Sequence, residues 1–206
     1  MLDGPQVFVD IDTQRDFLEP EGALFVPGSD QILPNLVRLT NYAQQHRIPV
    51  LATACAHKPD DPELRRFAAH CLVGSRGQER VAATFRADSR VLGSKQALQG
   101  ELPLHLTIEK RELDLFSHPH ADSILVRYEV THPVFVVYGV ATDYCVKAAV
   151  DGLLARYCRI ALVVDAIRAI DSEAEANLLT SFARQGVLLT LTDLVCDPDR
   201  RISIDA

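Results

Sequence analysis

Val134-Phe135-Val136-Val137-Tyr138-Gly139-Val140-Ala141-Thr142-Asp143-Tyr144-Cys145 is the stretch of sequence that decides the fold. Its first five residues are β-branched or aromatic, without a charged side chain among them, which is typical of a strand buried on both faces. Residues 143–157 then carry apolar side chains at three- and four-residue spacing, as an amphipathic helix does. A buried strand that leads directly into a helix is typical of a β-α-β unit. The stretch therefore predicts an α/β fold with parallel strands.

The same alternation of strand and helix patterns recurs along the chain. Because strands that alternate with helices are joined by crossovers, we predict a three-layer α/β/α sandwich around a six-stranded, mainly parallel sheet. The predicted strands are residues 7–11, 50–54, 104–108, 134–138, 160–164 and 187–191, and the predicted helices are residues 32–46, 122–128, 143–157 and 173–185.

Length and composition fit one packed domain over residues 1–206, because 48% of the residues are hydrophobic and 24% are charged. A net charge of −7, without a basic stripe, argues against a nucleic-acid partner. No apolar run reaches the roughly 20 residues of a membrane-spanning helix, and the start of the chain lacks the pattern of a signal peptide. We therefore expect a cytoplasmic protein without a membrane partner.

The five cysteines are odd in number and widely spaced, which predicts free thiols instead of a disulfide framework. One of them, Cys145, comes three residues after Thr142, a residue type that often caps helices. The positive end of a helix favours a thiolate. Buried cysteines are also common core residues, however, so position alone leaves both roles open.

Ligands of parallel α/β sheets bind beyond the carboxyl ends of the strands. Asp12 follows the first predicted strand and Lys110 comes two residues after the third, so both are candidates for a site at that edge. Taken singly, the aspartate is also compatible with a turn or cap and the lysine with a solvated side chain. We interpret residues 19–30 and 58–77, which are rich in Gly, Pro and charge, as loops over this site.

Two motifs connect these residues to a known family. Asp10-Ile11-Asp12-Thr13-Gln14-Arg15-Asp16-Phe17 resembles the D-x-Q-x-D-F opening of the nicotinamidase and isochorismatase-like cysteine hydrolases. Gly139-Val140-Ala141-Thr142-Asp143-Tyr144-Cys145-Val146 resembles the G-x-x-T-D-x-C-V turn of that superfamily. The resemblance covers the chain from Phe8 to about Leu191, and Lys110 lies where the family keeps a lysine.

The resemblance implies a catalytic set of Asp12, Lys110 and Cys145. Cys145 would be the nucleophile, Asp12 the general base and then acid, and Lys110 the cation that lowers the pKa of the thiol. The backbone N–H groups of Ala141 and Cys145 would form the oxyanion hole, next to a cis peptide bond between Val140 and Ala141.

The resemblance also suggests a substrate pocket and a metal site. Phe17 and Phe67 could sandwich a flat ring. A candidate metal cluster follows the second strand. The family usually has aspartate where this chain has Cys55. The cysteine would favour zinc among divalent metals, but it is also compatible with a branch of the family that binds no metal. The members of this cluster are Cys55, His57, Glu63 and His70.

The activity implied is hydrolysis of a small amide through a Cys145 thioester, as in nicotinamidases, which form nicotinate and ammonia. A ureido or carbamoyl amidohydrolase of the same superfamily is the alternative, and the protein is expected to form a homo-oligomer as its relatives do. Isochorismatase activity itself is disfavoured, because enzymes with that activity generally lack the nucleophilic cysteine.

Two alternative hypotheses about the function remain. Asp10-Ile11-Asp12 after an apolar strand superficially resembles a haloacid dehalogenase-type phosphatase, in which Asp10 would be the nucleophile with magnesium. Gln14 and the lack of a downstream Gly-Asp motif argue against it. The other reading is a non-catalytic member of the same fold that uses Cys145 as a sensor thiol.

Overall fold

The computed structural model describes residues 2–197, in which seven strands form one sheet of order β3-β4-β2-β1-β5-β6-β7. All neighbouring strands are parallel, so the predicted α/β class is confirmed. The strands are β1 Gln6–Ile11, β2 Val50–Cys55, β3 Arg90–Leu92, β4 His105–Lys110, β5 Val134–Val140, β6 Arg159–Arg168 and β7 Leu188–Thr190.

The sheet has one strand more than predicted. The additional strand, β3, is three residues long and lies at the edge of the sheet, with two of its residues exposed. It therefore has no buried apolar run by which the sequence could have revealed it. A smaller correction concerns Lys110, which is the last residue of β4 instead of lying two residues beyond a strand.

The four predicted helices are present, with ends shifted by one to four residues, and two short helices were not predicted. The helices are α1 Arg15–Leu18, α2 Leu33–Gln45, α3 Ala121–Glu129, α4 Lys147–Leu154, α5 Ser172–Arg184 and α6 Thr192–Cys196. Both additional helices, α1 and α6, have five residues or fewer, which is too short for a periodic pattern to show.

Two hydrophobic clusters, one on each face of the sheet, make the three layers. Alternate residues of β1 and β5 point to opposite faces, as the pleat of a strand requires. One cluster includes buried residues of α3, α4 and α5, and the other includes residues of α1, α2 and α6. The sheet is thus covered on both sides, which explains why its central strands read as continuous apolar runs.

A close contact between the carboxyl ends of the two central strands, β1 and β5, shapes that edge of the sheet. Gly139 is paired with Ile11 and has φ of 118°, and a Cβ atom there would lie 2.1 Å from the carbonyl oxygen of Ile11. Only glycine fits this approach. The residues that follow β1 and β5 are therefore held side by side.

The other predictions about the chain concern thiols and membranes. All five cysteines are free, as predicted. Within residues 2–197, none of the helices combines the length and apolar character that crossing a bilayer demands.

Candidate active site

Asp12 and Lys110 form a buried ion pair at the carboxyl edge of the sheet. Lys110 Nζ lies 2.7 Å from Asp12 Oδ2, and both side chains are at most 1% exposed. The lysine also donates to the carbonyl oxygen of Glu112 at 3.1 Å. A buried ammonium needs such partners, because removal from water is costly for a charge.

The backbone of Asp12 is in the left-handed region, with φ of 48°. Aspartate is one of the few residue types that adopt this region readily. The Asp12 N–H donates to Thr53 Oγ1 at 3.1 Å, and Thr53 Oγ1 donates to Asp12 Oδ1 at 2.6 Å. One carboxylate oxygen is thus held by the hydroxyl and the other faces Lys110.

Cys145 lies on a single π-helical turn, Thr142–Val146, between β5 and α4. The residue that caps this turn is Ala141, without a side-chain hydrogen bond. The sequence suggested Thr142 as the cap, but its hydroxyl instead donates to Glu175 Oε1 at 2.8 Å, because α5 packs beside the turn. Cys145 Sγ accepts from Lys110 Nζ at 3.6 Å.

The structure therefore brings the three predicted catalytic residues together. Reactive atoms of Asp12, Cys55 and Cys145 all lie within 4.8 Å of one another, with Lys110 Nζ in contact with each. Cys55 is the additional member: Lys110 donates to its Sγ at 3.3 Å, and its thiol lies 3.6 Å from Asp12 Oδ2. Cys55 is paired with Lys110 across β2 and β4, which explains this contact.

The peptide bond between Val140 and Ala141 is cis. Ala141 lies at the N-terminal end of the π-helical turn, and its carbonyl oxygen accepts from the N–H groups of Tyr144 and Val146, both at 3.1 Å. The backbone of Ala141 and Cys145 thus borders the same space as the thiol.

The pKa values of the two thiols shift in opposite directions, which differs from the expectation for Cys145. The hydrogen bond to Cys55, together with burial, raises the pKa of Cys145 well above its usual range. The same hydrogen bond holds the pKa of Cys55 well below its usual range. Lys110 acts on Cys145 in the expected direction, but these two effects outweigh it. The Cys145 thiol therefore has a raised pKa instead of the lowered one that the resemblance implied.

The other two groups have raised pKa values. Burial, and then the negative charge of Cys55, raise the pKa of the Asp12 carboxyl. For Lys110, burial works to lower the pKa, but the charges of Asp12 and of the two thiols raise it well above its usual range. The lysine stays an ammonium, and the aspartate is a stronger base than an exposed one.

The predicted metal ligands also come together. The ligand atoms of Cys55, His57 and His70 all lie within 4.8 Å of one another, and all three residues are buried. Glu63 Oε1 lies 3.8 Å from His57 Nε2 and 3.9 Å from His70 Nε2. Cys55 thus belongs to both clusters and joins the predicted catalytic residues to the candidate metal site.

In each histidine, Nδ1 has a partner that orients the ring, so that Nε2 faces this cluster. His57 Nδ1 lies 3.4 Å from Asp61 Oδ2, and His70 Nδ1 lies 2.8 Å from the carbonyl oxygen of Ala68. His57 Nε2 is buried without a hydrogen-bond partner. Metal-binding histidines typically have this arrangement, with Nδ1 oriented by a second group. Asp61 was not predicted from the sequence, although its position four residues after His57 was a signal.

Two polar residues of the first motif, Gln14 and Asp16, have contacts that fix neighbouring segments. The side chain of Gln14 makes hydrogen bonds to both backbone groups of Cys55. It accepts from the Cys55 N–H at 2.7 Å and donates to the Cys55 carbonyl oxygen at 2.8 Å. Asp16 accepts from the backbone N–H groups of Cys71 at 2.6 Å and Ala23 at 3.0 Å. Gln14 thereby fixes the end of β2, and Asp16 joins the two loops.

A small apolar pocket, with a cavity of about 30 Å³, opens onto Cys145. Phe17 and Phe67, the predicted pocket residues, both line it, but their ring contacts are with His70 and Tyr144. The predicted loops 19–30 and 58–77 contribute to its walls. The remaining lining residues are Leu24, Val26, Glu63, His70, Leu113, Val140, Ala141, Tyr144 and Ile170.

Asp10, which would be the nucleophile of a haloacid dehalogenase-type phosphatase, lies outside this pocket. Its carboxylate is paired with Arg80 and accepts from Thr13 Oγ1 at 2.8 Å, and the residue is 2% exposed. A carboxylate enclosed by a guanidinium in this way serves the packing of β1.

Comparison with known proteins gives a family match and similar folds. A family model described as the isochorismatase domain matches residues 6–193. A relative from Arabidopsis thaliana, named a probable inactive nicotinamidase, is 25% identical over 174 residues, which are 82% of this chain and 84% of that protein.

Two solved structures have the same fold. One is the pyrazinamidase of Pyrococcus horikoshii in complex with zinc, with a TM-score of 0.74 and 24% identity, covering 90% of this chain and 98% of that one. The other is N-carbamoylsarcosine amidase from Thermoplasma acidophilum, with a TM-score of 0.71 and 24% identity, covering 92% of this chain and 97% of that one.

Proposed function

Because this chain belongs to the isochorismatase family of hydrolases, whose domain model matches residues 6–193, we propose that it is a cysteine amidohydrolase. It cleaves the C–N bond of a small carboxamide, with nicotinamide as the leading substrate. Homo-oligomer formation and a cytoplasmic location stay predictions from the sequence.

One observation carries the proposal: a thiol, a carboxylate and an ammonium meet at the end of an apolar pocket. Cys145 lines that pocket, and its Sγ lies 3.6 Å from Lys110 Nζ, which is itself 2.7 Å from Asp12 Oδ2. A nucleophile, a base and a cation that holds the base are the groups that acyl transfer to cysteine requires.

The first half of the reaction forms a thioester. Asp12 takes the proton of the Cys145 thiol, and the sulfur attacks the carbonyl carbon of the amide. The N–H groups of Ala141 and Cys145 stabilise the oxyanion. Asp12 then gives its proton to the leaving nitrogen, because an amide anion is too basic to leave, and ammonia departs.

The second half returns the thiol. Asp12 takes a proton from water, the hydroxide attacks the thioester carbon, and the carboxylic acid leaves as Cys145 recovers its proton. Lys110 keeps its proton throughout, and its positive charge holds the carboxylate of Asp12 beside the sulfur.

The character of the pocket favours an uncharged aromatic carboxamide over a carbamoyl amino acid. Among the described lining residues there is neither lysine nor arginine, and Glu63 is an acid. The carboxylate of a carbamoyl amino acid would lose its water there without gaining a cation. A flat heteroaromatic ring instead finds Phe17, Phe67 and Tyr144.

Ammonia release therefore tests both the reaction and the substrate. We expect nicotinamide and pyrazinamide to be hydrolysed with a kcat/KM at least about tenfold above that of N-carbamoylsarcosine, since an unpaired buried charge costs more than 1.4 kcal/mol, the equivalent of tenfold. The same coupled ammonia assay serves all three compounds. Preference for the carbamoyl compound would replace the nicotinamidase-like proposal by its ureido and carbamoyl alternative.

The cluster of Cys55, His57, His70 and Glu63 suits a divalent metal, and zinc above all. A thiolate and two imidazoles are typical zinc ligands, and the unpartnered His57 Nε2 is a free donor atom directed at the cluster. Zinc held there would supply Lewis acidity next to the pocket. Glu63 and His70 line the pocket and would meet the ring or carbonyl of a bound amide.

We expect untagged protein to contain about one zinc ion per chain by elemental analysis. The variant Cys55→Asp should retain a metal but shift its preference towards iron or manganese, because a carboxylate is a harder ligand than a thiolate. The variant His70→Ala should lose most of the metal, with Cys71→Ala as the control that leaves the ligand set intact. The absence of stoichiometric metal from the parent protein would refute the metal site.

A non-catalytic thiol sensor is the second candidate function. It is favoured by one observation, the name of the Arabidopsis relative as a probable inactive nicotinamidase. That name describes the relative, whereas this chain has all three groups required for acyl transfer in contact. Selective alkylation of Cys145 in a protein that releases no ammonia from any amide would support the sensor.

A further inference from the structure

The hydroxyl of Thr53 makes two hydrogen bonds to one residue, Asp12. It accepts from the Asp12 N–H at 3.1 Å and donates to Asp12 Oδ1 at 2.6 Å. Both residues are 0% exposed. No other described side chain holds both the backbone and the carboxylate of this aspartate.

We propose that Thr53 is a positioning residue for catalysis, which orients Asp12 as the proton carrier. The inference rests on the proposed amidohydrolase function, in which Asp12 moves protons to and from Cys145. Thr53 does not touch the thiol in the structure; its effect passes through Asp12.

The geometry of Asp12 explains why such a residue is needed. With φ of 48°, Asp12 has a backbone conformation that L-residues seldom adopt, and the bond from its N–H to Thr53 stabilises that conformation. The bond to Oδ1 fixes the rotation of the carboxylate, so that Oδ2 is the oxygen that faces Lys110 and Cys55, and a carboxylate oxygen of Asp12 lies within 4.8 Å of Cys145 Sγ. Oδ2 is thereby the atom that exchanges protons.

Thr53 is itself held in place by a neighbouring strand and by Arg80. It lies within β2, where it pairs with Ile108 of β4. Its carbonyl oxygen accepts from Arg80 Nη1 at 3.2 Å, and Arg80 Nη2 donates to Thr13 Oγ1 at 2.6 Å. The hydroxyl therefore cannot follow a displaced carboxylate without moving two strands, which makes it a rigid reference for Asp12.

The test compares Thr53→Val, which keeps the shape but lacks the hydroxyl, with Thr53→Ser, which keeps the hydroxyl. We expect Thr53→Val to lower kcat for nicotinamide hydrolysis by about 10- to 100-fold with KM within about threefold, because a misplaced catalytic group costs up to about 10²-fold. Thr53→Ser should restore kcat to within about fivefold of the parent. The matched control is Thr107→Val, which removes a buried threonine hydroxyl of β4 that bonds to Ser89 instead.

The outcomes separate this inference from the proposed function. A parent-like kcat in Thr53→Val, or an equal loss in Thr53→Ser and Thr53→Val, would overturn the positioning role while amide hydrolysis by the parent still stands. A parent that hydrolyses no amide in the panel rejects the proposed function and this role with it. If Thr53→Val does not fold, as judged by circular dichroism, Thr53→Ala replaces it, and the same difference from Thr53→Ser is required.

Discussion

Replacing Cys145 by alanine is expected to reduce ammonia release from nicotinamide by a factor of about 10⁴ or more, since removal of a nucleophile leaves only binding and oxyanion stabilisation. The fold should be retained, because the change removes one sulfur atom at the end of a pocket. The measurement is the initial rate of ammonia formation at saturating substrate, together with a thermal unfolding curve for each protein.

The control for this variant is Cys196→Ala, which makes the same chemical change on α6, outside the pocket. It should keep the parent rate. A second check uses mass spectrometry: the parent, quenched during turnover, should carry an acyl group on Cys145. Undiminished ammonia release by Cys145→Ala would discard the thioester mechanism altogether.

The second large effect is expected for Asp12→Asn, which should lower kcat by about 10² to 10⁴, the contribution of a general base. Asparagine fits the same space but cannot take the proton of the thiol. The requirement for a base is strict here, because the hydrogen bond to Cys55 and burial raise the pKa of Cys145. Stopped-flow measurement should show that formation of the acyl-enzyme is slowed.

Asp165→Asn is the matched control for Asp12→Asn. Asp165 is a partly buried aspartate of β6 that accepts hydrogen bonds from the N–H and hydroxyl of Thr192, at 2.8 and 2.9 Å. Its variant should retain the parent kcat, even where its stability falls. A rate in Asp12→Asn within threefold of the parent would remove Asp12 from the mechanism and direct attention to Cys55 as the proton acceptor.

Elements with a long hydrophobic pattern were predictable. Six strands and four helices have such patterns, because a strand covered on both faces must be apolar throughout and a surface helix must be apolar along one stripe. The strand β7 has three residues, but it lies within the longer apolar run of residues 187–191. The strand β3 and the helices α1 and α6 have between three and five residues. Their formation depends on neighbours that are distant in sequence, so no local pattern marks them.

The candidate site was predictable where a motif carried it. Asp12, Lys110 and Cys145 were identified from their residue types after strands and from the family resemblance, and the structure brings them together. Thr53 was not identified, since a threonine within an apolar strand has an ordinary explanation. The hydrogen bonds from Gln14 to the backbone of Cys55 could not be predicted either, because they join residues 41 positions apart.

What the sequence by itself determined was the α/β class, the order of its long elements and the identity of the groups that could do chemistry, because burial periodicity and residue type are local properties. Only the tertiary structure decided that Cys55 lies between the candidate catalytic and metal clusters, that the thiols of Cys55 and Cys145 shift each other's pKa in opposite directions, and that Thr53 holds Asp12. Such features arise from distances between strands that are far apart in the chain, and a pKa depends on every charge and the burial around a group.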